Sequence, residues 1–343
     1  MVYFRVDGNE QIATGHVMRC LSIAQAIAEK GENCTFITSD DYPKELIQSK
    51  GFDTINLHSK WNELELEITK LIELIKEKEI SKMIIDSYFV TERYLKEIGK
   101  YTQIIYIDDL NLFSYPVDLI INYANYYSKF NYTSLYNLKN IKLLLGCKYV
   151  PLRNEFSQVK RRNQLNSQVR NILITTGGSD TYNIAGKLLS KICKEKRYKD
   201  INFHVVSGTF NLNLSKLQIL KENNKNILLY QNIERMSELM VKCDLAVSAG
   251  GTTLYELCAC GLPTICFAFA DNQLNGVEEF GNKKIMVYAG DVRQDDNNVV
   301  QNIIRSVDLL CKNIQQREIY SKRMQNLVDG YGAIRIAEEI LTL

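Results

Sequence analysis

The stretch VYFRVDGNEQIATGHVMRCLSIAQAIAEKG, residues 2–31, decides the fold. Residues 2–7 form a short apolar run typical of a β-strand, and residues 8–15 are polar and contain glycine, as loops do. Apolar residues then recur at helical spacing over 17–28, and Gly31 predicts the end of that helix. This strand–loop–helix order predicts the first unit of a parallel α/β sheet.

The alternation of strand and helix continues along the chain. Apolar runs without internal alternation suit strands that are covered on both faces, as in a parallel sheet. In the first half we expect strands at 34–38, 83–86, 104–108 and 119–122 and an amphipathic helix at 64–75. In the second half we expect strands at 171–176, 203–207, 227–230, 245–248 and 264–268 and helices from 299 onward.

Length and one polar interruption divide the chain. Its 343 residues suggest two domains. The stretch QVKRRNQLNSQVR at 158–170 is the predicted linker between an N-terminal domain at 1–157 and a C-terminal domain at 171–325. The last helix, within 326–343, is expected to pack back on the first domain. The predicted fold class is therefore α/β, with two Rossmann-like doubly wound domains that face a cleft.

Charge and composition exclude several functional classes. Lys and Arg number 42 against 40 Asp and Glu, so the net charge of +2 excludes a broad basic surface for nucleic acid. With three histidines and nine cysteines but no CxxC pair, we expect no metal and no cofactor, and cysteines that serve as small core residues. No segment approaches ~18 consecutive apolar residues, and the N-terminus does not resemble a secretory signal. We therefore expect a cytoplasmic monomer with no membrane partner.

The first candidate site is DGNEQIATGHVMR, residues 7–19. Gly15 permits an unusual backbone angle or the close approach of a ligand. His16 falls on the first helical turn, where the helix dipole disfavours the imidazolium, so a neutral ring that can accept a proton is favoured. His16 is therefore either a general base or only a hydrogen-bonding group at the helix start.

The second candidate site is TTGGSD, residues 175–180, between a strand and a helix. Gly177 and Gly178 let backbone N–H groups reach an anion, and the following helix start attracts phosphate. The alternative is that this turn binds no anion and that Ser179 or Asp180 only caps the helix.

The third candidate site is SAGGTTLYE, residues 248–256, again between a strand and a helix. A threonine can cap the helix and face a diphosphate, and the glutamate one turn later can hold two ribose hydroxyls; the alternative is a capping arrangement with a solvated glutamate. The positions concerned are Gly250, Gly251, Thr252, Thr253 and Glu256.

A further polar pair, Asn272 and Gln273, follows the next strand. Three polar strand ends on one domain edge predict a nucleotide-type site in the C-terminal half. Neither glycine turn matches GxGxxG with its downstream acid or GxxxxGK[ST], which disfavours NAD and a P-loop.

Taken together, these segments resemble the nucleotide-sugar hydrolases of pseudaminic acid biosynthesis, which act on UDP-2,4-diacetamido-2,4,6-trideoxy-β-L-altropyranose. The glycine turns also occur in glycosyltransferases of the same two-domain GT-B architecture. The matching segments are FRVDGNEQIATGHVMRCLSIAQAI at 4–27, IIDSY at 84–88, IDDL at 107–110, LLGCKYVPLRNEF at 144–156, TTGGSD at 175–180 and SAGGTTLYELCACGLPTICFAFADNQ at 248–273.

The resemblance implies metal-independent hydrolysis, in which water attacks the anomeric carbon with inversion and frees UDP. It implies that His16 is the general base, that Tyr88 lies in the active site, and that Glu256 holds the ribose. Asn272 and Gln273 match an amide pair near the sugar or phosphate. Backbone N–H groups at 177–178 and 251–253 can hold the diphosphate.

Two questions stay open from the sequence. An inverting UDP-sugar glycosyltransferase and a nucleotide-sugar-binding protein without catalysis are the rival functions. Arg5, Arg19 and Arg153 either contact the UDP-sugar or pair with buried carboxylates.

Overall fold

A computed structural model describes residues 1–136, 140–208 and 210–343. They form two compact units: Met1–Asn154 with Tyr331–Leu343, and Glu155–Gly330. The polar stretch at 158–170 thus belongs to the second unit, and the last helix belongs to the first.

Within the described residues, the first unit contains a parallel sheet of seven strands. The strands are β1 (Val2–Val6), β2 (Cys34–Thr38), β3 (Asp53–Asn56), β4 (Lys82–Asp86), β5 (Gln103–Ile107), β6 (Leu119–Asn122) and β7 (Lys142–Leu145). The helices are α1 (Gly15–Ala28), α2 (Lys44–Gln48), α3 (Ile68–Glu77), α4 (Glu92–Ile98) and α5 (Tyr132–Tyr136). The strand order is β3-β2-β1-β4-β5-β6-β7. From β1 the chain adds strands first on one side and then, from β4, on the other, so the strand order reverses between β1 and β4.

The second unit, in the described part of the chain, contains a parallel sheet of six strands. The strands are β8 (Asn171–Thr175), β9 (Asn202–Val206), β10 (Ile227–Tyr230), β11 (Leu245–Ala249), β12 (Thr264–Ala268) and β13 (Val287–Asp291). The helices are α6 (Ile184–Ile192), α7 (Leu214–Asn223), α8 (Met236–Lys242), α9 (Thr253–Ala259), α10 (Asp271–Asn282), α11 (Val292–Lys312) and α12 (Ile314–Leu327). The order β10-β9-β8-β11-β12-β13 places the reversal between β8 and β11. The final helix, α13 (Gly332–Leu341), packs against α1 of the first unit.

The central strands explain why the sequence folds this way. β1 and β11 are buried along their whole length, which is why their sequences, VYFRV and LAVSA, carry almost uninterrupted small or apolar side chains. Helices on the sheet faces complete each core, and the predicted α/β fold class with two doubly wound domains is confirmed.

Three strands escaped the sequence analysis: β3, β7 and β13. All three lie at an edge of their sheet and are only partly buried. An edge strand packs less of its surface, and β3 (DTIN) and β13 (VYAGD) lack the long apolar run by which the central strands were recognised. β7 (KLLL) carries three leucines and was nevertheless not predicted.

All nine cysteines are free, and seven are buried, as expected of small core residues. Among the helices of the described ranges, none combines the length and the apolarity that a membrane span requires.

Candidate active site

The first site lies at the carboxyl ends of β1 and β4, where the chain reverses across the first sheet. Asp7 directly follows β1, Asp86 ends β4, and His16 is the second residue of α1. Open α/β sheets bind ligands at such a reversal, because the loops leaving the two strands diverge and open a crevice. The structure brings His16, Arg19 and Tyr88 together here, as three of the predicted site residues.

A buried carboxylate orients the imidazole of His16. His16 Nδ1 lies 2.7 Å from Asp86 Oδ1. Burial by itself would raise the pKa of Asp86, but the Arg19 guanidinium and His16 outweigh it and hold that pKa well below its usual range. An ionised carboxylate only accepts hydrogen bonds, so Nδ1 carries the proton in this contact. Nε2 is then the ring atom that can accept a proton.

Arg19 clamps the same carboxylate. Its Nε and Nη2 donate to the two oxygens of Asp86 at 2.6 and 2.5 Å, and its Nη1 donates to Asp109 Oδ2 at 2.8 Å and to the Tyr123 hydroxyl at 2.7 Å. Arg19 is only 8% exposed. Of the two alternatives for Arg19, the structure shows pairing with carboxylates, and a contact of Arg19 with UDP stays a prediction. Its guanidinium positions Asp86, and through it His16.

Tyr88 contacts the imidazole directly. The two rings meet edge to face with centroids 4.6 Å apart. The Tyr88 hydroxyl donates to Asp109 Oδ2 at 3.0 Å, and burial raises the pKa of Tyr88 well above its usual range. The residue is thus a neutral phenol that holds one side of the His16 ring.

A pocket opens beside this cluster. It combines the charged pair with an aromatic wall, and Trp61 and Phe89 meet edge to face with centroids 5.0 Å apart. The pocket is lined by Asp7, Ile12, His16, Trp61, Asp86, Ser87, Tyr88 and Phe89.

Arg5 supports the site from within the core. It is fully buried, and its guanidinium donates to Asp7 at 2.6 Å and to Glu67 at 2.7 and 2.8 Å. Arg5 therefore pairs with buried carboxylates, the second of its two alternatives.

The expected backbone irregularity lies two residues earlier than predicted. Gly15 does not have a positive φ; Ala13, with φ +55°, carries that conformation. Gly15 is the first residue of α1, so it already has helical geometry. A Cβ built on Gly15 meets no atom within 4 Å, which leaves room for a ligand to approach its backbone.

The second cluster of predicted residues lies in the second unit, after β8, β11 and β12. β8 and β11 flank the reversal in that sheet, and β12 pairs with β11 on its other side. Gly177 has φ +79° and Gly251 has φ +137°, conformations that other residues rarely adopt. The Gly177 turn lies near the ring of Phe269, which follows β12. The glycine turns and the polar positions after β12 thus share one sheet edge.

Asp180 acts as a helix cap. Its carboxylate accepts from the backbone N–H of Ile184 at 2.8 Å and of Ala185 at 3.2 Å, at the start of α6. Burial raises the pKa of Asp180 to about 6, although these two hydrogen bonds lower it. The two N–H groups that it covers are not open to a phosphate. Ser179 pairs with Thr181 through their hydroxyls at 3.1 Å.

The other predicted residues of this edge follow β11 and β12. Thr252 precedes α9, but its side chain makes no capping hydrogen bond, so the expected cap is corrected; Thr253 is the first helical residue. Thr252 and Asn272 are exposed and Glu256 is partly buried. The Gln273 side-chain oxygen accepts from the Phe269 N–H at 3.0 Å.

Close packing requires glycine at positions 250 and 208. A Cβ on Gly250 would lie 2.9 Å from the Gln273 Cβ. A Cβ on Gly208 would lie 2.4 Å from the Gly178 carbonyl oxygen, so the loop after β9 needs glycine to pack on the turn after β8.

The sequence did not reveal that four further residues hold these sites in place: Asp86, Asp109, Tyr123 and Gly208. Asp86 and Asp109 lie inside IIDSY and IDDL and at strand ends, a position that could have identified them. Within the ranges that the structure describes, no three His, Cys, Asp or Glu side chains are grouped to hold a metal ion.

Comparisons with known proteins agree with this architecture. Residues 171–330 match the glycosyltransferase family 28 C-terminal domain. Crystalline MurG of Acinetobacter baumannii superposes with a TM-score of 0.70 at 11% identity, over 100% of this chain and 99% of its own, which shows the shared fold.

Curated relatives extend the comparison. An uncharacterized protein of Methanocaldococcus jannaschii is 30% identical over 76% of this chain, which spans about half (54%) of that relative's length. The UDP-2,4-diacetamido-2,4,6-trideoxy-β-L-altropyranose hydrolase of Campylobacter jejuni is 26% identical over 78% of this chain and 91% of its own. A Helicobacter pylori protein is named as both pseudaminic acid cytidylyltransferase and the same hydrolase. It is 29% identical over 58% of this chain and 36% of its own. The chain is therefore a GT-B-type α/β protein with a glycosyltransferase family 28 C-terminal domain, and it is related to proteins that carry the UDP-diacetamido-trideoxy-altropyranose hydrolase name.

Proposed function

We propose that the chain hydrolyses UDP-2,4-diacetamido-2,4,6-trideoxy-β-L-altropyranose to UDP and free 2,4-diacetamido-2,4,6-trideoxy-L-altrose, in pseudaminic acid biosynthesis. The observation that carries the proposal is the His16–Asp86 contact of 2.7 Å in a pocket at the carboxyl edge of the sheet. The names of two relatives support the substrate.

In the proposed reaction, His16 Nε2 takes a proton from water, and the water oxygen attacks the anomeric carbon from the face opposite UDP. The bond between that carbon and the UDP oxygen breaks, and its electron pair leaves with UDP. The sugar is released with inversion, and the proton on His16 passes to solvent. General base catalysis of this kind contributes ~10²–10⁴-fold.

The second unit supplies the nucleotide contacts in this proposal. Backbone N–H groups of the turns at 177–178 and 251–253 stabilise the charge on the leaving diphosphate without a metal. Glu256 holds the ribose hydroxyls, and Asn272 and Gln273 contact the sugar or phosphate. Asp180 caps the start of α6, next to the turn at 177–178.

One observation favours a second candidate. Because residues 171–330 match a glycosyltransferase domain, an inverting UDP-sugar glycosyltransferase is the alternative. Both functions keep the nucleotide contacts and differ in the acceptor, which is water for the hydrolase and a second molecule for the transferase.

Incubation with the UDP-sugar in H₂¹⁸O, without an acceptor and with EDTA present, separates the two. We expect UDP and sugar in equal amounts, ¹⁸O only in the sugar, and an inverted anomeric configuration by NMR. The transferase is correct instead if UDP appears only after a second sugar or a lipid is added.

The role of His16 is tested in the same assay. His16→Ala should abolish UDP release while UDP still binds, and His16→Asn, which keeps a hydrogen-bonding group without a base, should be equally inactive. Near-normal turnover in His16→Ala would remove His16 from the mechanism.

A further inference from the structure

The polar groups that line the His16 pocket already have partners within the protein. The Asp7 carboxylate accepts from a guanidinium at 2.6 Å and from a backbone N–H at 2.7 Å. Both oxygens of Asp86 accept from another guanidinium, the Ser87 hydroxyl accepts from a backbone N–H at 3.2 Å, and the Tyr88 hydroxyl donates to a carboxylate. The pocket therefore offers a ligand one reactive imidazole and little further hydrogen bonding.

The remaining lining residues are apolar. Ile12 and Trp61 are partly buried, and Phe89 is 39% exposed although it lies beside a charged cluster. The rings of Trp61 and Phe89 support each other at 5.0 Å with an interplanar angle of 87°. A large apolar side chain kept partly open beside a reactive group is a surface on which an apolar part of a ligand gains contact.

We propose that Ile12, Trp61 and Phe89 form an apolar subsite that binds a methyl group of the sugar, next to His16. The methyl group comes from a 6-deoxy carbon or from an N-acetyl group. The proposal rests on the proposed function, since it takes the sugar to lie beside His16. A hydroxyl in place of the methyl group would lose its hydrogen bonds to water and find no partner in this wall.

The size of the effect follows from that chemistry. An apolar pocket discriminates against an added hydroxyl by up to about 10²-fold in kcat/KM. We expect a loss of that order for the 6-hydroxy analogue if the 6-deoxy carbon occupies the subsite. We expect a comparable loss for the N-formyl analogues if an N-acetyl methyl group occupies it.

Variants of the wall give the kinetic test. Phe89→Ala and Trp61→Ala should reduce the discrimination at least about tenfold, whereas Phe89→Leu and Trp61→Phe, which keep an apolar wall, should preserve most of it. Tyr101→Ala is the matched control, because Tyr101 is 44% exposed and precedes β5. It therefore lies at the amino ends of the strands, away from the pocket at their carboxyl ends. Equal kcat/KM for all analogues in the wild type, or discrimination unchanged in folded Ala variants, would overturn the subsite.

Trp61 also provides a test that does not need turnover, because it is the single tryptophan of the chain. In His16→Ala, the emission of Trp61 should change on binding the methyl-bearing UDP-sugar and much less on binding UDP alone. Equal responses to both would refute the subsite. If Trp61 emission responds selectively to the UDP-sugar but the wild type releases no UDP, the subsite is supported and the hydrolase is rejected. If the wild type releases UDP but Trp61 emission does not respond selectively, the hydrolase is supported and the subsite is rejected.

Discussion

Replacing Asp86 by asparagine tests how the proposed base is oriented. Asp86 Oδ1 lies 2.7 Å from His16 Nδ1 and 2.5 Å from Arg19 Nη2. The asparagine amide has nearly the same shape, but its NH₂ group can donate to Nδ1. That contact would move the imidazole proton to Nε2 and remove the lone pair that accepts the proton of water.

The expected magnitude follows from the two roles of the carboxylate. Loss of general base catalysis costs ~10²–10⁴-fold, and the wrong tautomer costs up to about 10⁴-fold in the analogous serine protease triad. We therefore expect kcat to fall by about 10²–10⁴-fold, which corresponds to about 3–5 kcal/mol in the barrier. The KM should change little, since the proposed nucleotide contacts lie in the second unit.

Stability is the confounding effect, and Glu67→Gln controls for it. Removing one partner of a buried ion pair costs up to about 3–5 kcal/mol of stability. Asp86→Asn leaves Arg19 with one carboxylate partner, Asp109. Glu67 is as buried as Asp86, at 1% exposure each, and it accepts from Arg5 at 2.7 Å. Glu67→Gln should lower the melting temperature similarly and leave kcat nearly unchanged.

Steady-state UDP release, with melting curves of each variant, decides the outcome. Near-normal kcat in folded Asp86→Asn refutes the reasoning, as does an equal loss of kcat in Glu67→Gln. In a double variant with His16→Ala, Asp86→Asn should add almost no further loss of kcat, because the two residues act as one unit. If the two losses of kcat multiply in the double variant, Asp86 acts independently of His16.

Three further predictions concern single residues. Tyr88→Phe removes the hydrogen bond to Asp109 but keeps the ring against the imidazole, so kcat/KM should fall by less than about tenfold, and a loss as large as that of His16→Ala would contradict it. Gly208→Ala places a Cβ 2.4 Å from a backbone oxygen and should cost about 1–3 kcal/mol of stability and weaken UDP binding. Gly15→Ala is the control: its new methyl group has open space, so this variant should melt at the wild-type temperature. Because the pKa of Asp180 is raised to about 6 in the folded protein from an ordinary value of 3.8, ionisation should lower the free energy of unfolding by up to about 3 kcal/mol as the pH rises from about 4 through 6. Urea titrations of the wild type and Asp180→Asn should therefore diverge over that range, and parallel curves would refute the shift.

Most of the fold could be predicted from local patterns. The central strands were recognised because both of their faces are covered, and each apolar run in the sequence reports that burial directly. The edge strands β3 and β13 could not be recognised in this way, since DTIN and VYAGD carry no long apolar run, whereas the leucines of β7 (KLLL) could have identified it.

The candidate site was predicted less completely than the fold. His16 was identified from its place on the first turn of a helix, a local property. The sequence left two alternatives for Arg19, because its carboxylate partners lie 67 and 90 positions away and no sequence pattern links those positions. The same distance in sequence concealed the role of Asp86.

Local sequence was enough to predict the two α/β units, the glycine turns at strand ends, and His16 as the proposed reactive group. These features depend on residues close together in the chain: buried runs, helix starts, and backbone angles that glycine permits. Only the tertiary structure decided which carboxylate orients His16, that Arg19 clamps that carboxylate, and that Trp61 and Phe89 form an apolar wall beside it. Side-chain hydrogen bonds and ring contacts act over a few ångströms, and those short distances arise only when the parallel sheet brings the ends of β1, β4 and β5 together.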